Sequence, residues 1–213
     1  MPDFYLLEFG MPLVRQIVLI VHLFAFAFAI VLVARGDVAM LRGEYLCGVR
    51  DLKTDANITA VLLLVLWGTG LGLIGMGVGF DLAAVLTNGK ILAKLTVVLI
   101  LTLNGIFLHF YAFPLMSGSG AGARESANEI RLFICCLLGA LSSVSWICAS
   151  VFGAARIIAP MASFSHFMEF YGAALVCGVV VGLMVVRPLL RRQLLNAKTD
   201  AGCLINMVSV GTK

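Results

Sequence analysis

Residues Ile17–Ala34 read IVLIVHLFAFAFAIVLVA, an eighteen-residue run that is apolar at every position except His22. A helix crosses the hydrocarbon layer of a bilayer with about 20 largely apolar residues. Only helices and closed barrels satisfy their backbone polar groups in lipid. This run is too long and too continuous for a barrel strand, which alternates apolar and polar positions. It predicts a transmembrane helix near 13–35. The same criterion predicts four more, near 57–79, 90–112, 130–153 and 168–188. The fold class that follows is an all-α integral membrane bundle of five transmembrane helices. Residues 1–192 form a single bundle domain, and 193–213 form a polar cytoplasmic tail.

Composition agrees. Of 213 residues, 62% are hydrophobic and 12% charged, with a mean hydropathy of +1.08. A soluble domain carries roughly 25% charged residues. The net charge of +4 does not point to nucleic acid, because the basic residues flank the apolar runs, where they set orientation. Arg15, Lys90, Lys94 and Arg156 fall on the side of the N-terminus. The other 11 of the 15 basic residues fall on the opposite side, so the N-terminus is expected outside and the C-terminus inside. The first run is expected to stay in the mature protein: Asp3 and Glu8 precede the first basic residue, and the apolar stretch exceeds a signal h-region.

Between the runs, 36–57 mixes both charge signs and reads as a helical extension plus a turn. Residues 117–128 (SGSGAGARESAN) read as a flexible connector, with Asn128 and Glu129 placed to cap the fourth helix. Cys135, Cys136, Cys148 and Cys177 lie in apolar runs and read as small packing residues. Cys47 and Cys203 fall in segments expected in the cytoplasm, where thiols stay reduced.

Gly70-x-Gly72-x-x-Gly75 matches a dinucleotide fingerprint, but that motif needs a strand before it and a helix after it. Here it lies within an apolar helix. Gly68, Gly72, Gly75 and Gly79 recur on one face and read as a groove for close helix packing, with room for a flat cofactor. No lysine stands in the middle of the last run, which argues against a retinal protein.

Ionisable groups inside a bilayer are expensive and face the bundle interior, so they lead to the candidate site. At a rise of 1.5 Å per residue, His22 lies roughly 9 Å and Lys94 roughly 6 Å inside the outer boundary, depths compatible with contact. His109 lies roughly 22 Å beyond Lys94 along the same helix, at the opposite end with Asn104. Two axial ligands of one iron stand about 4 Å apart, given metal–nitrogen distances near 2 Å. His22 and His109 therefore cannot share an iron across straight helices. His22 can do so with Lys94, or with His166 at the start of the fifth helix. The plainer alternatives are that Lys94 snorkels to the interface or pairs with Glu169 or Asp81, and that His22 hydrogen-bonds a neighbouring helix. His109 and Tyr111 read as an interfacial belt, and Arg156, His166 and Glu169 as a solvated rim.

The order of these features resembles the membrane protoporphyrinogen oxidase family known as HemJ and, more loosely, CopD-type membrane proteins. The resemblance covers roughly residues 16–150. It rests on His22 followed by Arg35, on Trp67-Gly68-Thr69-Gly70-Leu71-Gly72-Leu73-Ile74, on Lys94-Leu95-Thr96-x-Val98 and on Asn128-Glu129. Phe24-Ala25-Phe26-Ala27 departs from the Trp-Phe-x-Gly segment that follows the family histidine. The resemblance implies haem b, with His22 and Lys94 as axial ligands of its iron. A lysine amine ligates iron only when neutral, which a low-dielectric setting favours.

The expected function is a haem b-binding bacterial inner-membrane protein for electron transfer or oxidation of a small membrane-associated substrate, a membrane oxidoreductase. Arg35 and Glu129 are expected to serve as polar partners on the cytoplasmic side. The alternatives are a non-catalytic accessory subunit of a larger membrane complex, or a small transporter using Lys94, Glu169 and His166. The transporter is disfavoured because the cytoplasmic half offers no matching acidic relay. The expected partners are the lipid bilayer and other membrane proteins or further copies of the chain.

Overall fold

The structure is a computed structural model that describes residues 2–42, 52–112, 125–155 and 162–192. Its helices are α1 (Pro2–Arg42), α2 (Leu52–Val78), the short α3 (Leu82–Thr87), α4 (Gly89–Phe107), α5 (Glu125–Ala154) and α6 (Phe164–Val181). A π-helical turn, Leu108–Ala112, continues α4, and another, Gly182–Val186, continues α6. The described residues contain no strand. Five segments are long and apolar enough to cross a membrane: Gly10–Arg42, Lys53–Val78, Gly89–Phe110, Leu132–Ala154 and Phe164–Arg192.

Two of these segments run well past the expected bounds. The first continues beyond residue 35 to Arg42, because Gly36 and Asp37 lead into Val38–Leu41 with no proline or cap to stop the helix. The last begins at Phe164, where Ser163 forms the N-cap, and runs through Pro188 to Arg192. Its π turn accounts for the passage: Arg187 N–H donates to Gly182 O, in the wider register, just before a proline that has no N–H to give.

The fourth helix also starts earlier than its expected cap. Glu125 opens α5, so Asn128 and Glu129 stand within the helix and do not cap it. The rest of the Gly/Ser-rich connector, the tail 193–213, Arg156, Cys47 and Cys203 lie outside the described residues.

Packing follows side-chain size. Large apolar residues such as Leu13, Phe24, Phe28, Leu64 and Met184 face outward. In water such a surface would aggregate, whereas lipid solvates it. The interior combines small residues such as Ala29, Ala93 and Cys148, which let backbones approach, with buried aromatics such as Trp146, Phe152 and Tyr171. Ala93, Val97, Cys148, Phe152, Phe167 and Tyr171 bind α4, α5 and α6 into a three-helix body. Ala25, Ala29 and Leu66 bring the α1–α2 pair onto Leu101 and Trp146 of that body. Near the far end of α1, Met40 packs on Leu132, Cys136 and Leu190. Buried Cys135, Cys136 and Cys148 fit the packing role, while Cys177 faces outward.

Glycines let α5 and α6 approach closely. A Cβ on Gly178 would stand 2.3 Å from Val144 Cγ2, and one on Gly182 would stand 3.4 Å from Ala140 Cβ. At the start of α4, a Cβ on Gly89 would stand 2.6 Å from Phe164 N. The α2 glycines divide their work. Gly72 faces Val18 and Gly70 faces His22, whereas the Phe80 ring folds back over Gly75. That return is made by left-handed residues at Gly79 (φ 68) and Phe80 (φ 57).

Candidate functional site: the His22 layer

His22 sits on α1 where that helix crosses the Thr69–Gly70 stretch of α2. Its Nδ1 lies 2.8 Å from Thr69 Oγ1. The Thr69 hydroxyl has one proton and three acceptors in reach: Val65 O at 2.7 Å, Leu66 O at 3.3 Å and His22 Nδ1. When it donates to Val65 O, one turn back along α2, its oxygen accepts from His22 Nδ1–H, and in that neutral imidazole Nε2 holds the lone pair. The glycine at position 70 lets the ring lie against α2, since its Cβ position is 3.6 Å from His22 Cε1.

Lys94, five residues into α4, is the charged side chain whose field reaches His22. It does so from within a largely apolar helix whose buried neighbours are Ala93 and Val97. Toward the α1 N-terminus, an open groove of about 730 Å³ runs between α1 and α2, lined by residues that include Arg15, Gln16, Leu19, Leu73 and Met76. Leu19 and Leu73 stand one turn from His22 and Thr69 respectively, so the groove leads to the His22 layer. On the far side of that layer, Trp67 Nε1–H donates to Thr102 Oγ1 at 3.0 Å and ties α2 to α4.

The other candidates take separate places. His166 is engaged locally at the α6 N-terminus: its Nδ1 accepts from Ser163 N–H at 3.3 Å and lies 2.7 Å from Ser163 Oγ. Asp81 caps α3 by accepting from Ala83 N–H. Lys90 Nζ donates to Ala155 O at 2.8 Å, a cation placed on the C-terminal end of α5. His109 and Glu169 are exposed. Arg35 is exposed on α1, and Glu129 is held from α6, by Arg187 Nη2 at 3.0 Å and Arg191 Nε at 2.8 Å. The Arg187 guanidinium also lies over the Phe133 ring, 5.8 Å from its centre.

Thr69 and Asp37 are the functional candidates that sequence reasoning passed over. Thr69 lay in plain view inside the quoted glycine segment, a hydroxyl in an apolar helix one residue from the glycine that His22 needs. Asp37 lies on the helical extension of α1 past residue 35, and its carboxylate meets α5, where Ser143 Oγ–H donates to Oδ2 at 2.8 Å. Asn104 is also buried, with its Nδ2–H donating to Leu138 O at 3.0 Å.

No family model, no curated protein and no solved structure matches this chain.

Proposed function

We propose that this chain is an integral membrane protein that binds haem b beside the His22 layer, with His22 and Lys94 as axial ligands. The observation that carries the reading is the His22 Nδ1–Thr69 Oγ1 hydrogen bond between α1 and α2. Metal-bound histidines characteristically donate their other ring N–H to an acceptor that fixes tautomer and orientation. With its own proton on Val65 O, Thr69 is such an acceptor, and Nε2 is then the nitrogen with a lone pair.

The donor set fits the group. A haem brings four pyrrole nitrogens and needs only axial ligands from the protein. An imidazole nitrogen on α1 and an amine on α4 would meet that need. Among the described residues no three His, Cys, Asp or Glu side chains gather as a metal-binding group, so a ligand that supplies most of its own donors suits this pair better than a bare ion. When bound, the haem would supply one-electron redox chemistry, with a potential tuned by the axial ligands and the apolar shell. The chain's own part is to orient the imidazole through Thr69, hold the amine on α4 and keep water away with Ala25, Ala29, Leu66 and Trp146.

The role that follows is electron transfer or oxidation of a small membrane-associated substrate, in keeping with the resemblance to HemJ and CopD-type proteins. The distribution of basic residues supports an outside N-terminus and an inside C-terminus. The test is haem content. Protein purified in mild detergent from haem-replete cells should carry haem b near one per chain. A folded, haem-free preparation would reject the reading.

A further inference from the structure

Asp37 lies within the apolar segment Gly10–Arg42, five residues from its Arg42 end. That is roughly 8 Å at 1.5 Å per residue. Its carboxylate reaches across to Ser143 in the apolar segment Leu132–Ala154 of α5. An acid within an apolar bundle is costly and marks an ion or proton path by default.

Among the described residues Asp37 is in no ion pair. On its own helix the charged groups at this end are Arg35 and Arg42. On α5 the titratable groups at this end are Glu125, Glu129, Arg131, Cys135 and Cys136; on the last helix they are Arg187 and Arg191, both held by Glu129, and Arg192. Lys53 and Asp55 stand at the start of α2. The side chain that meets the Asp37 carboxylate is Ser143.

The Ser143 hydroxyl has one proton and two acceptors in reach, Asp37 Oδ2 at 2.8 Å and Gly139 O at 3.0 Å. With the carboxylate ionised, Ser143 donates to Asp37. With the carboxyl protonated, Asp37 O–H donates to Ser143 Oγ, and the hydroxyl turns to Gly139 O, the back-bond a helical serine readily makes. Each protonation state is thus satisfied by one rotation of one hydroxyl. At the same level of α5, Asn104 binds Leu138 O, the carbonyl before Gly139, and its own Oδ1 is buried with no partner among the described residues. The bundle therefore holds a second acceptor at this depth.

We infer that Asp37 is a proton-binding site within the membrane-spanning bundle, with Ser143 as the rotating hydroxyl that accommodates both of its states. Protonation forms one O–H bond on the carboxylate and breaks one in a hydronium ion from the aqueous phase, leaving water. The site does not depend on haem.

Infrared difference spectroscopy of the full chain in lipid nanodiscs, as purified, tests this across a pH titration. The wild type should show a protonated-carboxyl C=O band that grows on acidification and shifts in D2O. Asp37→Asn should lose that band. Ser143→Ala should keep it but move both its frequency and its titration midpoint. If Asp37→Asn does not fold, the Ser143→Ala comparison reads the same group. A band that survives Asp37→Asn, one that Ser143→Ala leaves unmoved, or an Asp37 signal that never changes with pH would each overturn the inference.

Discussion

His22 Nδ1 and Thr69 Oγ1 are 2.8 Å apart, and the one proton of that hydroxyl goes either to His22 or to Val65 O at 2.7 Å. The haem proposal requires it on Val65 O, with Thr69 accepting from His22 Nδ1–H. Nitrogen NMR on protein labelled at histidine should find neutral His22 protonated at Nδ1. Thr69→Val should release that bias and mix the tautomers, while Thr69→Ser should retain it. Loss of such an orienting partner typically costs 10–100-fold in metal affinity, so Thr69→Val should weaken haem retention by about that factor. A tautomer unchanged in Thr69→Val would show that Thr69 does not set it.

Glu129 joins α5 to the end of α6 through two guanidinium groups. The arginines and the carboxylate are partly exposed, and exposed pairs are worth about 0.2–1 kcal/mol. Glu129→Gln should therefore lower stability in detergent only modestly, and less at high salt. The double variant Glu129→Gln/Arg187→Ala should destabilise by less than the sum of the two singles, because both remove one interaction. Arg35→Ala should add to Glu129→Gln without coupling. A strong Arg35–Glu129 coupling would contradict the geometry.

Glycine substitutions should rank by what a new methyl meets. At Gly89 it would strike the backbone nitrogen of Phe164 at 2.6 Å, and at Gly178 the side chain of Val144 at 2.3 Å, whereas at Gly68 it would meet nothing within 4 Å. Overpacking of this kind costs about 1–3 kcal/mol. Gly89→Ala should be the most damaging, since backbone cannot rotate away, followed by Gly178→Ala. Gly68→Ala should be neutral or slightly stabilising, as alanine is the better helix former. Thermal unfolding in one detergent gives the order, and equal losses at Gly68 and Gly89 would contradict it.

How far the sequence carries can be read from these residues. The five apolar segments were legible because length and hydropathy are local properties, and lipid leaves the chain few other options. Helix ends were harder. Arg35 and Asp37 look like the end of a span, yet their neighbours keep the helix going, and the acid turns inward to Ser143. Pro188 looks like a stop, and a π turn carries the helix through it. His22 and Lys94 were legible because ionisable groups in apolar runs are rare. Their partners were not, because which face of α2 meets α1 is a tertiary fact. The glycines illustrate this: Gly68, Gly72, Gly75 and Gly79 form the regular row, but the histidine lies against Gly70, and α6 packs on Val144 through Gly178.

The haem proposal rests on His22 Nε2 and the Lys94 amine, and a visible absorption spectrum tests it most directly. Protein expressed with haem available and purified in mild detergent would be recorded oxidised and then dithionite-reduced. The account predicts a Soret band with sharp reduced α and β bands, lost in His22→Ala and altered in Lys94→Ala. A folded wild type without a Soret band, or one whose spectrum survives His22→Ala unchanged, would contradict it.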